Sequence, residues 1–342
     1  MASAVQYMGS VGFCGTACHT MTPEFSAYQQ FAHSKVDCVH CHVAPGAAGF
    51  VESKVRGAGQ LLAMTTNSYS RPIETPVHGI ASTQVTCEGC HARGKEIGNQ
   101  LRVIRHFSDD EANTPSTSVL LLRVGGANHA GIHGAHLRPG RVIEYRSDPK
   151  RETIPWIRVT DAGGQSEEYV AEGADMNGME MRTMDCADCH NRPAHTFEMP
   201  DDAVDRAIAA GRMDRGLPFL RKQSLELLRA SYASGEEAAE KIPSGLQAFY
   251  QENHSGAAGE KAEAIRQAGA ELVQIWSRNV FPQMKVSWGT YPNHLGHQQF
   301  PGCFRCHDDS HTSASGKTVS QDCSSCHEML AMEEESPEVL KA

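Results

Sequence analysis

Every cysteine of this sequence stands in a pair, and a histidine follows each pair directly. Five pairs have the form Cys-x-x-Cys-His, whereas the first pair, in CGTACH, has one extra residue between its cysteines. The chain contains twelve cysteines, so none is left outside a pair. The pairs are Cys14 and Cys18, Cys38 and Cys41, Cys87 and Cys90, Cys186 and Cys189, Cys303 and Cys306, and Cys323 and Cys326.

This spacing is the attachment signature of a c-type haem. Two thiols add to the two vinyl groups on one edge of the porphyrin, and a two-residue spacer lets one tight turn present both. The histidine that follows then lies below the iron as its proximal ligand. The sequence therefore predicts six covalently bound haems. Their proximal ligands would be His19, His42, His91, His190, His307 and His327.

Zinc and disulfides are the alternatives to haem at these cysteines. Cys-x-x-Cys with a histidine also suits tetrahedral zinc, but zinc sites would combine two such pairs without a histidine directly after each. A disulfide framework needs no histidine at all. Both alternatives are strongest at the first pair, because three residues between Cys14 and Cys18 must bulge the turn. We interpret this pair as a haem site as well.

The remaining histidines supply candidates for the second axial ligand. The chain has eighteen histidines, so twelve remain after the proximal ones. Low-potential electron-transfer haems usually take a second histidine, which keeps the iron six-coordinate. Position next to a motif favours His33, His78, His195, His294, His297 and His311. Weaker candidates are His106 and His133, followed by His40 and His254.

Met21 is a candidate ligand of a different kind. It lies two residues after His19 in the sequence CHTM. A thioether ligand would raise the reduction potential of the first haem above that of a site with two histidines. The alternative role for Met21 is an apolar contact with the porphyrin edge.

The composition fits a chain that packs around cofactors. Aromatic residues make up 6% of the 342 residues, which is a low content for a core formed by protein side chains alone. Haem macrocycles would add the missing apolar surface. The formal net charge of -10 argues against nucleic acid as a partner and favours a redox protein with a basic docking face.

Covalent haem attachment takes place outside the cytoplasm, so the chain should be exported. Residues 1–13 contain neither a charged segment before an apolar core nor a membrane span of about 20 apolar residues. We therefore expect the export signal to lie outside this sequence. The predicted location is the periplasmic side of the cytoplasmic membrane, and an extracellular location is the less favoured alternative.

The intervals between the haem motifs predict the fold. Alternating apolar and polar residues around glycine-rich turns indicate strands in the first long interval, and apolar residues at helical spacing fill the second. We expect a multihaem cytochrome c of helices and irregular loops wrapped around haems, with a small β-rich insertion. Its parts would be a three-haem module at 1–100, the insertion at 101–182, the fourth motif with helices at 183–285, and a two-haem module at 286–342 that ends in an acidic tail from Met332.

The segment from Phe13 to Gly46 resembles the NapC/NirT family of membrane-anchored multihaem cytochromes. The matching features are an aromatic residue before the first pair, the CHTM sequence, a histidine shortly before the second pair, and CHV followed by PG. The resemblance extends over roughly residues 7–91. Further along the chain, NRPAH and FPGCFRCH are similar to longer members with more than four haems.

This resemblance implies a quinol-oxidising electron donor. Such proteins carry a transmembrane helix directly before the first haem motif, which would lie upstream of Val5 here. They take electrons from menaquinol or ubiquinol near the first haem and pass them to a redox protein outside the membrane. Met21 matches the family's methionine ligand, in which case His19 need not coordinate that iron. The three-residue spacer and the two long insertions depart from the family pattern.

Two other functions stay open at this point. A reductase of a small nitrogen or sulfur oxyanion would need one haem with an open coordination site. The glycine-rich segment with His129, His133 and His136 could line such a pocket, although no CxxCK motif occurs. An extracellular haem filament would use surplus histidines to ligate haems of neighbouring protomers and would make the protein an oligomer. The sequence predicts no catalytic nucleophile or acid–base pair.

Overall fold

The computed structural model describes residues 7–17, 19–77, 82–91, 97–126 and 131–341, without the side chain of His19. Five helices, four of them short, lie in the described N-terminal part, which includes the first three motifs. They are α1 (Val11–Thr16), α2 (Thr22–Tyr28), α3 (Cys38–His42), α4 (Gly46–Thr65) and α5 (Thr83–Thr86). Within the described ranges, no helix combines the length and the apolar composition that crossing a bilayer requires.

A three-stranded antiparallel sheet joins the middle of the chain to its C-terminal part. Its strands are β1 (Asn99–Phe107), β2 (Pro115–Arg123) and β8 (His327–Glu334), in the order β1-β2-β8. Val119, which is fully buried, lies opposite the buried Ala331 across the β2–β8 pair. The acidic tail is therefore shorter than predicted, because β8 includes its first residues, Met332 to Glu334.

A second, five-stranded sheet also mixes the two regions. Its order is β6-β3-β4-β5-β7, and all pairs are antiparallel. Its strands are β3 (Val142–Ser147), β4 (Trp156–Thr160), β5 (Ser166–Val170), β6 (Glu180–Thr183) and β7 (Thr312–Ser313). In the chain, α6 (Ile132–Leu137) lies between β2 and β3. Strands thus extend beyond the expected insertion, because β7 and β8 come from the C-terminal part of the chain.

The largest apolar core belongs to a group of helices that contains no haem motif. After α7 (Cys186–Cys189), these are α8 (Pro200–Ala209), α9 (Leu220–Arg229), α10 (Gly235–Asn253), α11 (Ser255–Glu260) and α12 (Ala262–Asn279). Val204, Leu228, Ile242 and Leu272 are fully buried in this core. Their spacing follows the helical period, so each helix presents one apolar face to the others.

Candidate haem sites

Each described Cys-x-x-Cys-His motif folds into about one helical turn. In three of the motifs, the backbone amide of the histidine donates to the carbonyl oxygen of the first cysteine. The N···O distances are 2.7 Å for His91 to Cys87, 2.8 Å for His190 to Cys186 and 3.1 Å for His307 to Cys303. Because residues three apart share one face of such a turn, both thiols can reach the same porphyrin edge.

The structure pairs five of the motif histidines with a second histidine each. The pairs, with their ring-centroid distances, are His42 with His195 (6.2 Å), His91 with His33 (6.1 Å), His190 with His133 (6.4 Å), His307 with His136 (5.9 Å) and His327 with His297 (6.3 Å). Two imidazoles that bind one metal from opposite sides, at about 2 Å from nitrogen to metal, have centroids roughly 6 Å apart. The residues present therefore fit one iron between the two rings of each pair.

Hydrogen bonds fix the tautomer of four of these rings. In each of them, Nδ1 lies within hydrogen-bond distance of a backbone carbonyl oxygen, which requires a proton on Nδ1. The distances are 3.0 Å for His33 to Pro193, 2.9 Å for His195 to Glu24, 2.7 Å for His136 to Ile132 and 2.8 Å for His307 to Ser320. A ring that donates from Nδ1 keeps the Nε2 lone pair for a metal. These four side chains are thus prepared for iron ligation through Nε2.

Burial favours the neutral, ligating form of the two rings on α6. It lowers the pKa of His133 and is also the largest cause of the lowered pKa of His136. For His136, the nearby positive forms of His307 and Arg141 lower the pKa further, against the opposing hydrogen bond to Ile132. A neutral imidazole is the form that binds a metal.

Motifs that are neighbours in the sequence are also neighbours in space, beginning with the first three. The pKa of the Cys38 thiol is raised to about 11 by burial and then by the adjacent thiol of Cys14. Burial also raises the pKa of Cys41, followed by the nearby thiols of Cys87 and Cys90. The second attachment site therefore lies between the first and the third.

The same order continues through the last three motifs. Desolvation and the neighbouring rings, among them His91 of the third motif, lower the pKa of His190 in the fourth. Burial and then the thiol of Cys303 in the fifth motif raise the pKa of Cys189 to about 11. Burial and Cys303 likewise raise the pKa of Cys326 in the sixth. Each motif thus lies near the next one in the sequence, which gives a row of neighbouring motifs.

A protein of known type shares most of this sequence. The cytochrome c-type protein ImcH of Geobacter sulfurreducens is 41% identical over 341 residues, an alignment that covers 97% of this chain and 67% of that protein. The chain belongs to the c-type cytochromes. It binds haem covalently, transfers electrons and functions outside the cytoplasm. No protein-family model and no solved structure matches this cytochrome.

Three of the predicted distal ligands of this cytochrome lie in the ring pairs, namely His33, His195 and His297. His78 and Cys18 lie outside the described residues, as does His129 of the expected pocket. Met21 is half-buried at the end of a short 3-10 turn, His19–Met21, directly before α2. The first site is therefore described only in part.

The structure does not place His311 as a haem ligand. Its ring is 1% exposed, and Nδ1 lies 2.8 Å from a carboxylate oxygen of Asp308. Nε2 lies 2.7 Å from the carbonyl oxygen of Ile154. Both ring nitrogens are occupied by these protein partners, so neither faces an iron in this arrangement. His311 instead ties the segment after the fifth motif to the loop before β4.

His294 also stands apart from the ring pairs among the described residues. Its side chain is buried, and Nδ1 has no hydrogen-bond partner. Burial and then the positive charge of Arg305 lower its pKa to about 4, so the ring is neutral. Its backbone amide donates to the side-chain oxygen of Asn191 over 2.9 Å. His294 thus lies beside the fourth and fifth motifs, and its role as an iron ligand stays a prediction.

The two histidines on α6 lie in ring pairs although the sequence analysis ranked them below other candidates. His133 ranked behind the histidines next to motifs, and His136 was a candidate only for an open pocket. Neither is close to a motif in the sequence. The fold brings α6 to the fourth and fifth motifs, so nearness in the sequence could not identify these two histidines. The available signal was the His-x-x-His spacing, which places both rings on one face of a helical turn.

The ring pairs also bear on the zinc alternative. Within the described ranges, no group of three or more histidine, cysteine, aspartate or glutamate side chains could hold a metal ion. A tetrahedral zinc site needs four such ligands. Two opposed imidazoles beside two thiols fit a covalently attached haem with two histidine ligands.

Proposed function

We propose that this cytochrome relays electrons along six haems, from membrane quinol at the first haem to a redox protein outside the cytoplasm. The observation that carries the proposal is the set of five ring pairs, with centroid distances from 5.9 to 6.4 Å. The attachment motifs that accompany them lie in one row. Such a row supports transfer from each site to the next.

The ligand sets favour electron transfer over binding of a substrate. Each haem, when bound, supplies a centre that gains and loses one electron. Two histidines on one iron fill both axial positions, so the geometry changes little between the two oxidation states. The five paired sites offer no open position to an oxyanion. His133 and His136, which could have lined a reductase pocket, stand in pairs with motif histidines instead.

The resemblance of residues 7–91 to the NapC/NirT family supports quinol as the electron source. In this proposal the first haem lies next to the periplasmic face of the cytoplasmic membrane, and Met21 is its distal ligand. A thioether ligand raises the reduction potential, which favours acceptance of electrons from quinol. The half-buried position of Met21, next to the Cys14 region, is compatible with this role.

Reduction by quinol tests the proposal directly. The membrane-anchored form of the protein would be placed in proteoliposomes with a menaquinol analogue, and haem reduction would be followed optically. We expect fast reduction of the wild type and at least about tenfold slower reduction of Met21→Ala, because loss of the thioether removes part of the driving force.

Met64→Ala is the matched control, since Met64 lies on the exposed helix α4, outside the motifs. It should be reduced as fast as the wild type. If quinol reduces none of these proteins while soluble donors do so rapidly, the cytochrome is a relay without a quinol site. Rapid binding of cyanide to the reduced protein would instead favour a reductase.

A further inference from the structure

One short helix carries histidines that face two different haem motifs. The ring of His133 lies 6.4 Å from that of His190 in the fourth motif. The ring of His136 lies 5.9 Å from that of His307 in the fifth motif. The two histidines are three residues apart on α6, so they project from the same side of a single turn.

We propose that α6 is a ligand turn shared by two irons, with His133 binding the iron of the fourth haem and His136 that of the fifth. The two haems then form one mechanically linked pair, because neither distal ligand can shift without the other. This inference rests on the proposed haem relay. It assigns two iron ligands and a coupling between haems that the attachment motifs do not reveal.

The attachment loops of the same two haems are joined directly. Arg305, between the cysteines of the fifth motif, donates from Nη2 to the carbonyl oxygen of Asp188 over 2.6 Å. Asp188 lies between the cysteines of the fourth motif and is 3% exposed. Its carboxylate accepts hydrogen bonds from Arg151, over 3.1 Å, and from the hydroxyl of Tyr145. The pair is thus tied through its attachment loops as well as through α6.

The start of α6 is fixed against the end of β2. Gly131, at φ +120°, precedes the helix, and a Cβ atom there would lie 2.5 Å from the carbonyl oxygen of Arg123. The backbone amide of His133 donates to the carbonyl oxygen of Val124 over 3.0 Å. Only glycine allows this close approach of the two backbones. The position of the ligand turn is therefore set by the sheet.

The other end of α6 is fixed beside β3. Nη1 of Arg141 donates to the carbonyl oxygen of Ala135 over 2.6 Å. Inside the helix, Nδ1 of His136 donates to the carbonyl oxygen of Ile132 over 2.7 Å. Both ends of the turn and one of its rings are therefore held, which is what a shared ligand element needs.

Ligand removal tests the assignment by electron paramagnetic resonance of the oxidised holoprotein. Loss of one of two strong-field axial ligands converts a low-spin haem into a high-spin haem. We expect one additional high-spin haem in His133→Ala, one in His136→Ala, and two in the double variant. Lys222→Ala, at an exposed position of α9, should add none, and His297→Ala, a separate proposed ligand of the sixth haem, should add one.

The linkage is tested by potentiometric titration of the same variants. We expect His136→Ala to shift the midpoint potential of the fourth haem as well as that of the fifth, while His297→Ala leaves the fourth unchanged. An alanine inserted after Ala135 turns His136 by about 100° relative to His133 and should also produce a high-spin haem.

The spin states and midpoint potentials of these variants distinguish three claims: the ligands on α6, the mechanical link and the paired-histidine relay. If the two α6 variants stay fully low-spin while His297→Ala becomes high-spin, α6 holds no ligands and the inference is wrong. If His297→Ala stays low-spin too, the paired-histidine relay itself is wrong. A shift confined to the fifth haem in His136→Ala would leave the ligands in place but overturn the mechanical link.

Discussion

At the scale of single residues, the ion pair of Glu24 and Arg192 contacts a proposed ligand, His195. Both residues are 8% exposed, and Nη2 of Arg192 lies 3.0 and 2.9 Å from the two carboxylate oxygens. Nε of Arg192 donates to the carbonyl oxygen of His195 over 2.7 Å. Nδ1 of His195 donates to the carbonyl oxygen of Glu24 over 2.9 Å. The ion pair therefore fixes both the backbone and the ring of His195.

Replacing Glu24 by Gln should affect both stability and redox potential. Removing one partner leaves the guanidinium of Arg192 buried without a counter-charge, which costs about 3 kcal/mol of unfolding free energy. The loss of a negative charge beside His195 should also raise the midpoint potential of the second haem. Thermal unfolding and potentiometric titration of the holoprotein measure the two effects.

Glu263→Gln is the control for this prediction, because it breaks an exposed ion pair with Arg266 in α12. Exposed ion pairs contribute little to stability. We therefore expect the unfolding free energy to change by at most about 0.5 kcal/mol and the midpoint potential of the second haem to stay the same. Equal, small effects of the two substitutions would show that the buried pair does not support the second haem.

Residue spacing alone predicts the attachment sites, and nearness to a motif selects three of the histidines in the ring pairs. It does not predict their partners, because each of the three lies beside the histidine of a motif other than the one it adjoins in the sequence. His33, His195 and His297 are within reach of this reasoning because each lies close to a motif in the sequence. The same reasoning selects His311 and His294, but it does not predict the tertiary contacts of their side chains. A carboxylate and a carbonyl occupy the two nitrogens of His311, and neither partner is visible in the local sequence.

At the scale of elements, the contact between Gly131 and β2 determines where α6 lies. Replacing Gly131 by Ala adds a Cβ atom 2.5 Å from a backbone oxygen, at a φ of +120°. We expect α6 to move and the fourth and fifth haems to lose distal ligation together, giving two high-spin haems in a fraction of the molecules. Spin quantification by electron paramagnetic resonance checks this.

Gly173→Ala separates the contact from the backbone strain. Gly173 also has a positive φ, +69°, but no atom lies within 4 Å of an added Cβ. This variant should lose some stability and keep every haem low-spin. If both glycine variants behave alike, the close approach at Gly131 is not what positions α6.

Periodicity predicts the elements whose partners are close in the sequence. The strand pair β3–β4 and the apolar faces of α8 to α12 follow alternating or helical patterns that are visible in the chain. Periodicity does not predict β8, because its pairing partner β2 lies far upstream and its exposed positions are glutamates, methionines and one leucine. This acidic segment forms a strand because it pairs with β2 in the folded protein.

At the scale of the whole molecule, the helical group α8 to α12 should fold without haem. Its core residues, among them Leu228, Ile242 and Leu272, are fully buried by protein side chains alone. In the chain produced without haem attachment, we expect these helices to stay protected in hydrogen exchange. The segments around the motifs should exchange rapidly, because the haems would supply much of their apolar contact.

The holoprotein is the reference for that experiment, and both regions should be protected in it. Complete loss of protection in the haem-free chain would show that the helical group depends on the haem-bearing parts. Composition predicted the dependence on cofactors in general, through the low aromatic content. It could not show which interval of the chain has a core of its own, since that depends on how the helices pack.

The pairing of β8 with β2 has a consequence for assembly. His327 lies opposite Leu122, next to the end of β2 from which α6 departs. A slip of one residue between these strands would turn His327 to the other face of the sheet. During synthesis β2 emerges long before β8, so the sheet stays incomplete until the last part of the chain has been exported. The row of sites is complete only when β8 pairs with β2. A chain that ends before β8 therefore cannot complete this sheet.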